Sequence, residues 1–346
     1  MSQSADHADG WGLHAIAVLT AAFTLPLIFI GGLVTSHDAA LSVPDWPTSF
    51  GYNMFLFPWN KMVGGIFLEH SHRLFGSTLG FLAIALTAWL LMKEKKRRWL
   101  RTLMLLSLAL IVLQGCLGGY RVILLMKPIA IVHACLAQVV FCMLVSIALF
   151  TSPWWRKREG MAASLKDWGI RKLAVWTTAL IFIQLILGAS MRHTDSGLAV
   201  TDFPLMYGKW MPPMDAAALE RANAQRWHMG LDPVSLNQIA IHMAHRVGAV
   251  VVSVAVLAMV WMVRRRYSNC TELRRLGWIL IGLLVIQLGL GMSVIWTQKA
   301  ADIATAHVAV GALTLMVSFL MTLVSFKLVA ANEARESVPV TEGVVA

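Results

Sequence analysis

Apolar residues run along this chain in eight blocks, near 14–34, 66–92, 102–120, 129–150, 173–191, 238–263, 275–296 and 303–328. Each is close to the ~20 residues that a helix needs to cross the apolar core of a bilayer. The pattern predicts an all-α membrane protein with eight transmembrane helices. Between the blocks lie polar stretches of two kinds. Three are strongly basic: 93–101 and 151–172 hold six Lys or Arg each, and 264–275 holds five. The alternate stretches hold eight between them, spread over much longer segments. Cytoplasmic loops carry the excess of Lys and Arg, so the three basic stretches and both termini are expected on the cytoplasmic side. The long loops 35–65 and 192–237 then face outward. Prolines (Pro44, Pro47, Pro58, Pro212, Pro213) and tryptophans (Trp46, Trp59, Trp210, Trp227) suit them to cap the bundle or to sit in the headgroup belt.

Composition agrees. Hydrophobic residues make up 58% of the 346 and charged residues only 14%, where a soluble domain carries about 25%. The opening "MSQSADHADGWG" is acidic rather than basic, so the first block is expected to be a retained helix instead of a cleaved leader. The net charge of +11 comes from short runs between apolar blocks, a topogenic signal that gives no reason to expect nucleic acid. Cys116, Cys135, Cys142 and Cys270 have no metal-type spacing.

The chain also repeats itself. "GGLVTSHDAALSVPDWPTSFG" from Gly31 aligns with "GASMRHTDSGLAVTDFPLMYG" from Gly188, matching Asp38, Leu41, Val43, Asp45, Pro47 and Gly51 to Asp195, Leu198, Val200, Asp202, Pro204 and Gly208. Further on, His72 meets His245, Gln114 meets Gln287 and His133 meets His307. Four spans per copy mean that both copies enter the membrane the same way, as a parallel repeat. The expected architecture is two pseudo-twofold-related four-helix bundles, 14–150 and 173–329. A cytoplasmic linker, 151–172, joins them, and a flexible cytoplasmic tail, 330–346, follows.

Four histidines mark the repeat: His72 and His133 in one half, His245 and His307 in the other. Each lies near the start of an even-numbered span, so all four belong at similar depth toward the outer face. A pair of imidazoles from facing helices suits the two axial positions of a haem iron. Zinc would want three or four protein ligands. A proton relay or a hydrogen-bonded structural role is the alternative. Haems that carry electrons across a membrane stack one near each face, and the expected placement on one side disfavours that use.

The halves differ around these residues. Three positions before the histidine, the first half has Glu69 and the second His242. Positions i and i+3 share a helix face, so Glu69 is expected to point where His72 points. A buried carboxylate is suited to accept a proton, or it is held in a salt bridge with Arg73 or an outer-loop base. Arg73 and Arg246 each follow a histidine and could reach the interface or a haem propionate. His70 has no histidine counterpart and is the bystander of its cluster. His37, His193 and His228 are expected in solvated outer loops.

"EHSHR" with "HMAHR", "IVHACLAQ" with "TAHVAVGA", and the loop texts "SVPDWP" and "HTDSGLAVTDFP" together resemble the haem A synthase family over nearly the whole chain. The resemblance implies an oxidoreductase that converts the C8 methyl of haem o to a formyl group through an alcohol, giving haem a for terminal oxidases. It implies a haem b cofactor on His245 and His307. The substrate haem would bind at His72 and His133, with Arg73 beside it and Glu69 as the catalytic carboxylate. A haem o synthase and a terminal oxidase are the implied partners. The implied location is a bacterial-type plasma membrane or the mitochondrial inner membrane. Some bacterial members carry a cysteine pair in the first outer loop; here Val43 and Ser49 stand near those places. The competing readings are a diheme cytochrome oxidising quinol and a transporter built from parallel repeats.

Overall fold

The computed structural model describes residues 2–158 and 169–336, with side chains at 11–158 and 169–328. Among these residues the chain is helical, with two isolated β-bridges and no strand. The helices are α1 (Ser2–Ser36), α2 (Gly64–Lys93), α3 (Arg98–Leu124), α4 (Lys127–Thr151), α5 (Pro153–Arg156), α6 (Gly169–His193), α7 (Ala216–His228), α8 (Leu236–Arg266), α9 (Thr271–Trp296) and α10 (Ala301–Glu336). Eight of them, all but α5 and α7, are long and apolar enough to cross a membrane. The protein is an integral membrane protein.

The helices outrun the apolar blocks for physical reasons. Even the 25 residues of α4 span about 38 Å at 1.5 Å per residue, against a bilayer core of about 30 Å, so helix ends stand among the headgroups. There polar residues can stabilise them. Ser235 and Gln238 form a reciprocal capping box that starts α8 two residues before its apolar block. Arg264, Arg265 and Arg266 continue the same helix past its other end. The helix α7 lies inside the second long loop, and six of its 13 residues are polar, so no apolar block announces it. Its start is written in Asp215, whose Oδ1 accepts from Ala218 N at 2.7 Å.

The first four spans pack in a ring, α1 on α2 and α4, and α3 on α2 and α4. The last four do the same, α8 on α6 and α9, and α10 on α6 and α9. Between the rings α1 meets α10 and α4 meets α6 and α10. Two apolar cores result, one around Leu86, Met104 and Leu144, the other around Val256, Leu280 and Met321. Helices α4 and α10 are the most buried spans and hold the centre of the molecule. Part of the 151–172 stretch folds as α5; residues 159–168 of it, and 337–346 of the tail, lie outside the described residues.

At the basic end of the spans, Glu94 ties three elements together. It pairs with Arg97 and, at 2.6 Å, with Arg156, while Arg97 Nη1 donates to Phe150 O at 2.8 Å. Burial alone would raise the Glu94 carboxyl, but the hydrogen bond and charge of Arg97, with Arg156 behind it, hold it below its ordinary range.

Candidate functional site

Each half brings one histidine from a central helix and one from a peripheral helix. His133 stands on α4 and His307 on α10; His72 stands on α2 and His245 on α8. All four sit six to nine residues into their helices, about 9–14 Å from the end that carries the long loops. Short hairpins alternate the helix directions, so both pairs lie toward the same end of the bundle.

A glycine receives each ring. A Cβ placed on Gly31 would lie 2.9 Å from His72 Cε1, one on Gly118 3.3 Å from His133 Cε1, one on Gly188 3.2 Å from His245 Cε1 and one on Gly291 3.1 Å from His307 Cε1. Ordinary carbon contacts are about 3.5–4.0 Å, so any larger residue would push the ring. In each case the glycine belongs to the preceding spanning helix: α1, α3, α6 and α9. The four rings are therefore seated by the same device.

Glutamines hold the histidine segments. Gln114 Nε2 donates to His133 O at 3.0 Å, and Gln184 Nε2 donates to His245 O at 2.9 Å and lies 3.1 Å from His245 Nδ1. Gln287 Nε2 is 3.5 Å from His307 Nε2, the outer limit of a hydrogen bond. Nδ1 of His72, His133 and His307 is buried with no partner. In the second half the rings of His245 and His307 converge, with centroids 6.4 Å apart and planes at 69°. The first pair makes no such ring contact among the described residues.

Beside His72, Glu69 is 4% exposed and committed to a tether. Its Oε2 accepts from Val43 N at 2.8 Å and its Oε1 from Arg73 Nη2 at 2.8 Å. Arg73 donates further to Val43 O (2.8 Å), Asp45 O (2.7 Å) and Thr48 O (3.0 Å), so four of its five N–H donors are spent. The salt bridge with Arg73, one of the two readings of Glu69, is present. His70 points to the loop as well, with Nδ1 3.1 Å from Ser49 Oγ and its ring 4.8 Å from that of Phe57.

The second half builds its tether from different atoms. His242 Nδ1 lies 3.1 Å from Ser196 O, and Arg246 donates to Asp202 O (2.6 Å) and Leu205 O (3.2 Å). The two loops turn alike. Asp45 accepts from Phe50 N (2.7 Å) and Gly51 N (2.9 Å), and Asp202 from Tyr207 N (2.7 Å) and Gly208 N (2.8 Å). Phe50, Gly51, Tyr207 and Gly208 all have positive φ, between 51° and 76°. Burial alone would raise the Asp45 carboxyl, but the N–H groups of Gly51 and Phe50 and the Thr48 hydroxyl hold it below the usual range.

Some expected placements change. His193 ends α6 and is partly buried, whereas His37 and His228 are exposed as expected. All four cysteines are free. Among the described residues no group of three or more His, Cys, Asp or Glu is placed to hold a metal ion. The four glycines and Gln184 had not been singled out from the sequence. Their signal was present: Gly31 and Gly188 sit at the repeat's 157-residue offset, and Gly118 and Gly291 at the 173-residue offset of His72 and His245.

Comparison with known proteins agrees over most of the chain. The profile of the COX15-CtaA family, described as cytochrome oxidase assembly protein, matches residues 14–319. The Heme A synthase of Shewanella oneidensis is 28% identical over 314 residues, covering 86% of this chain and 92% of that protein. The Heme A synthase of Halalkalibacterium halodurans is 25% identical over 316 residues, covering 90% and 94%. That of Symbiobacterium thermophilum is 28% identical over 276 residues, covering 76% and 79%. The chain belongs to the COX15-CtaA family of cytochrome oxidase assembly proteins, the haem A synthase family that its motifs resemble.

Proposed function

We propose that the protein is a haem A synthase, which oxidises the C8 methyl of haem o to a formyl group by way of an alcohol. The observation that carries this is the seating of four histidines, two per half, each against a glycine of the preceding spanning helix at one end of the bundle. The Heme A synthase relatives give the reaction.

In this reading the half within 173–329 holds haem b on His245 and His307, and the half within 14–150 binds the substrate haem on His72 and His133. The rings of His245 and His307 stand with centroids 6.4 Å apart, which supports the reading that these two residues would hold one iron between them. When bound, haem b supplies a redox-active iron. Gln184 fixes the His245 segment by donating to its backbone carbonyl, which suits a resident cofactor. The first pair has a glutamine on His133 alone, which suits a ligand that comes and goes.

Glu69 is the proton-handling group of the first half. It is a buried carboxylate one turn from His72, and Arg73 holds it in place. Arg73 serves the substrate through the loop it clamps over the site, keeping water away from the reacting edge. The loop end faces outward, both termini face inward, and the membrane is a bacterial-type plasma membrane or the mitochondrial inner membrane. A haem o synthase would supply the substrate, and a terminal oxidase would take the product. A diheme cytochrome passing electrons through the membrane fits less well, because both pairs lie toward one end.

Haem content separates the halves. His245→Ala or His307→Ala should remove haem b from the purified protein. His72→Ala or His133→Ala should leave haem b in place and abolish binding of added haem o. Loss of haem b from the His72 and His133 variants would refute this division.

A further inference from the structure

Arg121 is a cation with no anion. It lies in the last turn of α3, three residues beyond Gly118, which seats His133, and seven beyond Gln114, which donates to His133 O. Residues three and four apart share a helix face, so Gln114, Gly118 and Arg121 form one stripe against α4. Arg121 is partly buried, and its charge acts on His72, His133, His193 and Arg192. The carboxylate whose field reaches it is Glu69, and both Glu69 oxygens are already taken by Val43 N and Arg73. Arg121 itself forms no hydrogen bond or ion pair among the described residues. A guanidinium drawn partly out of water without a partner is costly, and a ligand anion would offset that cost.

A second cation stands beside it. Arg192, from α6, leans across to α1, where its Nη2 donates to Gly32 O at 2.7 Å and to Ser36 Oγ at 2.5 Å. No other donor of Arg192 has a partner among the described residues. The repeat shows that neither cation is part of the common scaffold. The stripe Gln114, Gly118, Arg121 corresponds to Gln287, Gly291, Val294, and Arg192 corresponds to Thr35. Arg121 belongs to the first half's own helices, and Arg192, four residues beyond Gly188, reaches it from the second half.

We propose that Arg121, with Arg192 behind it, binds the carboxylate side chains of the porphyrin substrate in the first half. This rests on the reading of that half as the substrate-haem site. It moves the carboxylate partner away from Arg73, four of whose five donors are spent on three loop carbonyls and Glu69. The planar fork of Arg121 suits bidentate capture of a carboxylate, and its place one turn beyond the seat of His133 would set the rotation of the porphyrin about its iron. A porphyrin held by its carboxylates presents one fixed edge for oxidation.

The test is a spectroscopic titration of the purified full-length protein, with haem b already in its second site. The probes are haemin and haemin dimethyl ester, in which the carboxylates are masked. The wild type should bind the free acid about tenfold to a hundredfold more tightly than the ester, and only if His72 is present. Arg121→Leu should bind both alike, at the level of the ester, and Arg121→Lys should keep part of the preference. Equal binding of acid and ester by the wild type would overturn the proposal without recourse to any variant. So would a full preference in Arg121→Leu, and in either case the first half would still be a haem site. If neither compound binds the wild type through His72, the substrate-site reading fails and takes this inference with it.

Discussion

Replacing Gly31 by Ala adds one methyl group where His72 has left no room for it. The new Cβ would lie 2.9 Å from His72 Cε1, about 0.6 Å inside the shortest ordinary carbon contact. Either the ring turns or α1 and α2 part by that amount. Overpacking of this kind costs about 1–3 kcal/mol, and a displacement of about 0.5 Å is the limit that ligand geometry tolerates. The affinity of the first half for added haem should fall about tenfold to a hundredfold, while haem b stays at full occupancy. Gly291→Ala should do the reverse, reducing haem b, and more mildly, because its contact is 3.1 Å. Gly115→Ala is the control: nothing lies within 4 Å of its added methyl, and alanine favours the helix by about 1 kcal/mol. Absorption titration with haemin and thermal unfolding of the three variants decide the matter. If Gly31→Ala and Gly115→Ala bind added haem alike, the glycine seats do not set the geometry of the site.

Other outcomes follow from the same structure. Glu69→Gln keeps the shape of the tether but removes its charge, and product formation should fall at least tenfold with haem b unchanged; Glu69→Ala, which leaves Arg73 facing an empty partner, should also lower stability by about 3 kcal/mol in a denaturation series. His70→Ala should retain haem binding, in contrast to His72→Ala, because His70 spends its Nδ1 on Ser49; proteolysis of the 43–57 loop should quicken instead. At the basic end, Glu94 has a carboxyl held below its ordinary range, so its contribution to stability is complete at neutral pH. That contribution is lost as pH falls through the depressed value, below about 4.5. Melting of the wild type should therefore drop between pH 6 and pH 3 more steeply than that of Glu94→Gln.

The spans and the four histidines could be read from the sequence because both signals are long or repeated. Twenty apolar residues in a row admit few structures, and a histidine that recurs at a fixed offset is distinguished from its neighbour, as His72 is from His70. Contacts made by small or spent groups were less legible. A glycine that seats a ring looks like any other glycine in a membrane helix, and only the repeat could have singled out Gly31 and Gly188. Arg73 follows a histidine and reads as a ligand-facing cation, yet three loop carbonyls and Glu69 claim it. Arg121 reads as one of the few basic residues on the sparse side of the charge count, and its lack of a partner emerges only once α3 is packed against α4. The helix α7 was hidden because its stability comes from polar anchors. Arg226 donates to Leu198 O at 2.5 Å and Asp232 O at 2.7 Å, and Asn223 exchanges two bonds with Val234. No hydrophobic period reports such bonds.

The central claim is that one half holds a cofactor while the other modifies a haem. The most direct test is to express the chain beside a haem o synthase, purify it, and identify its extracted pigments by spectrum and mass. The account predicts haem b together with haem a or its alcohol precursor, and, for His72→Ala, haem b alone. Unmodified haem o beside haem b in the wild type, with neither alcohol nor formyl product, would contradict it.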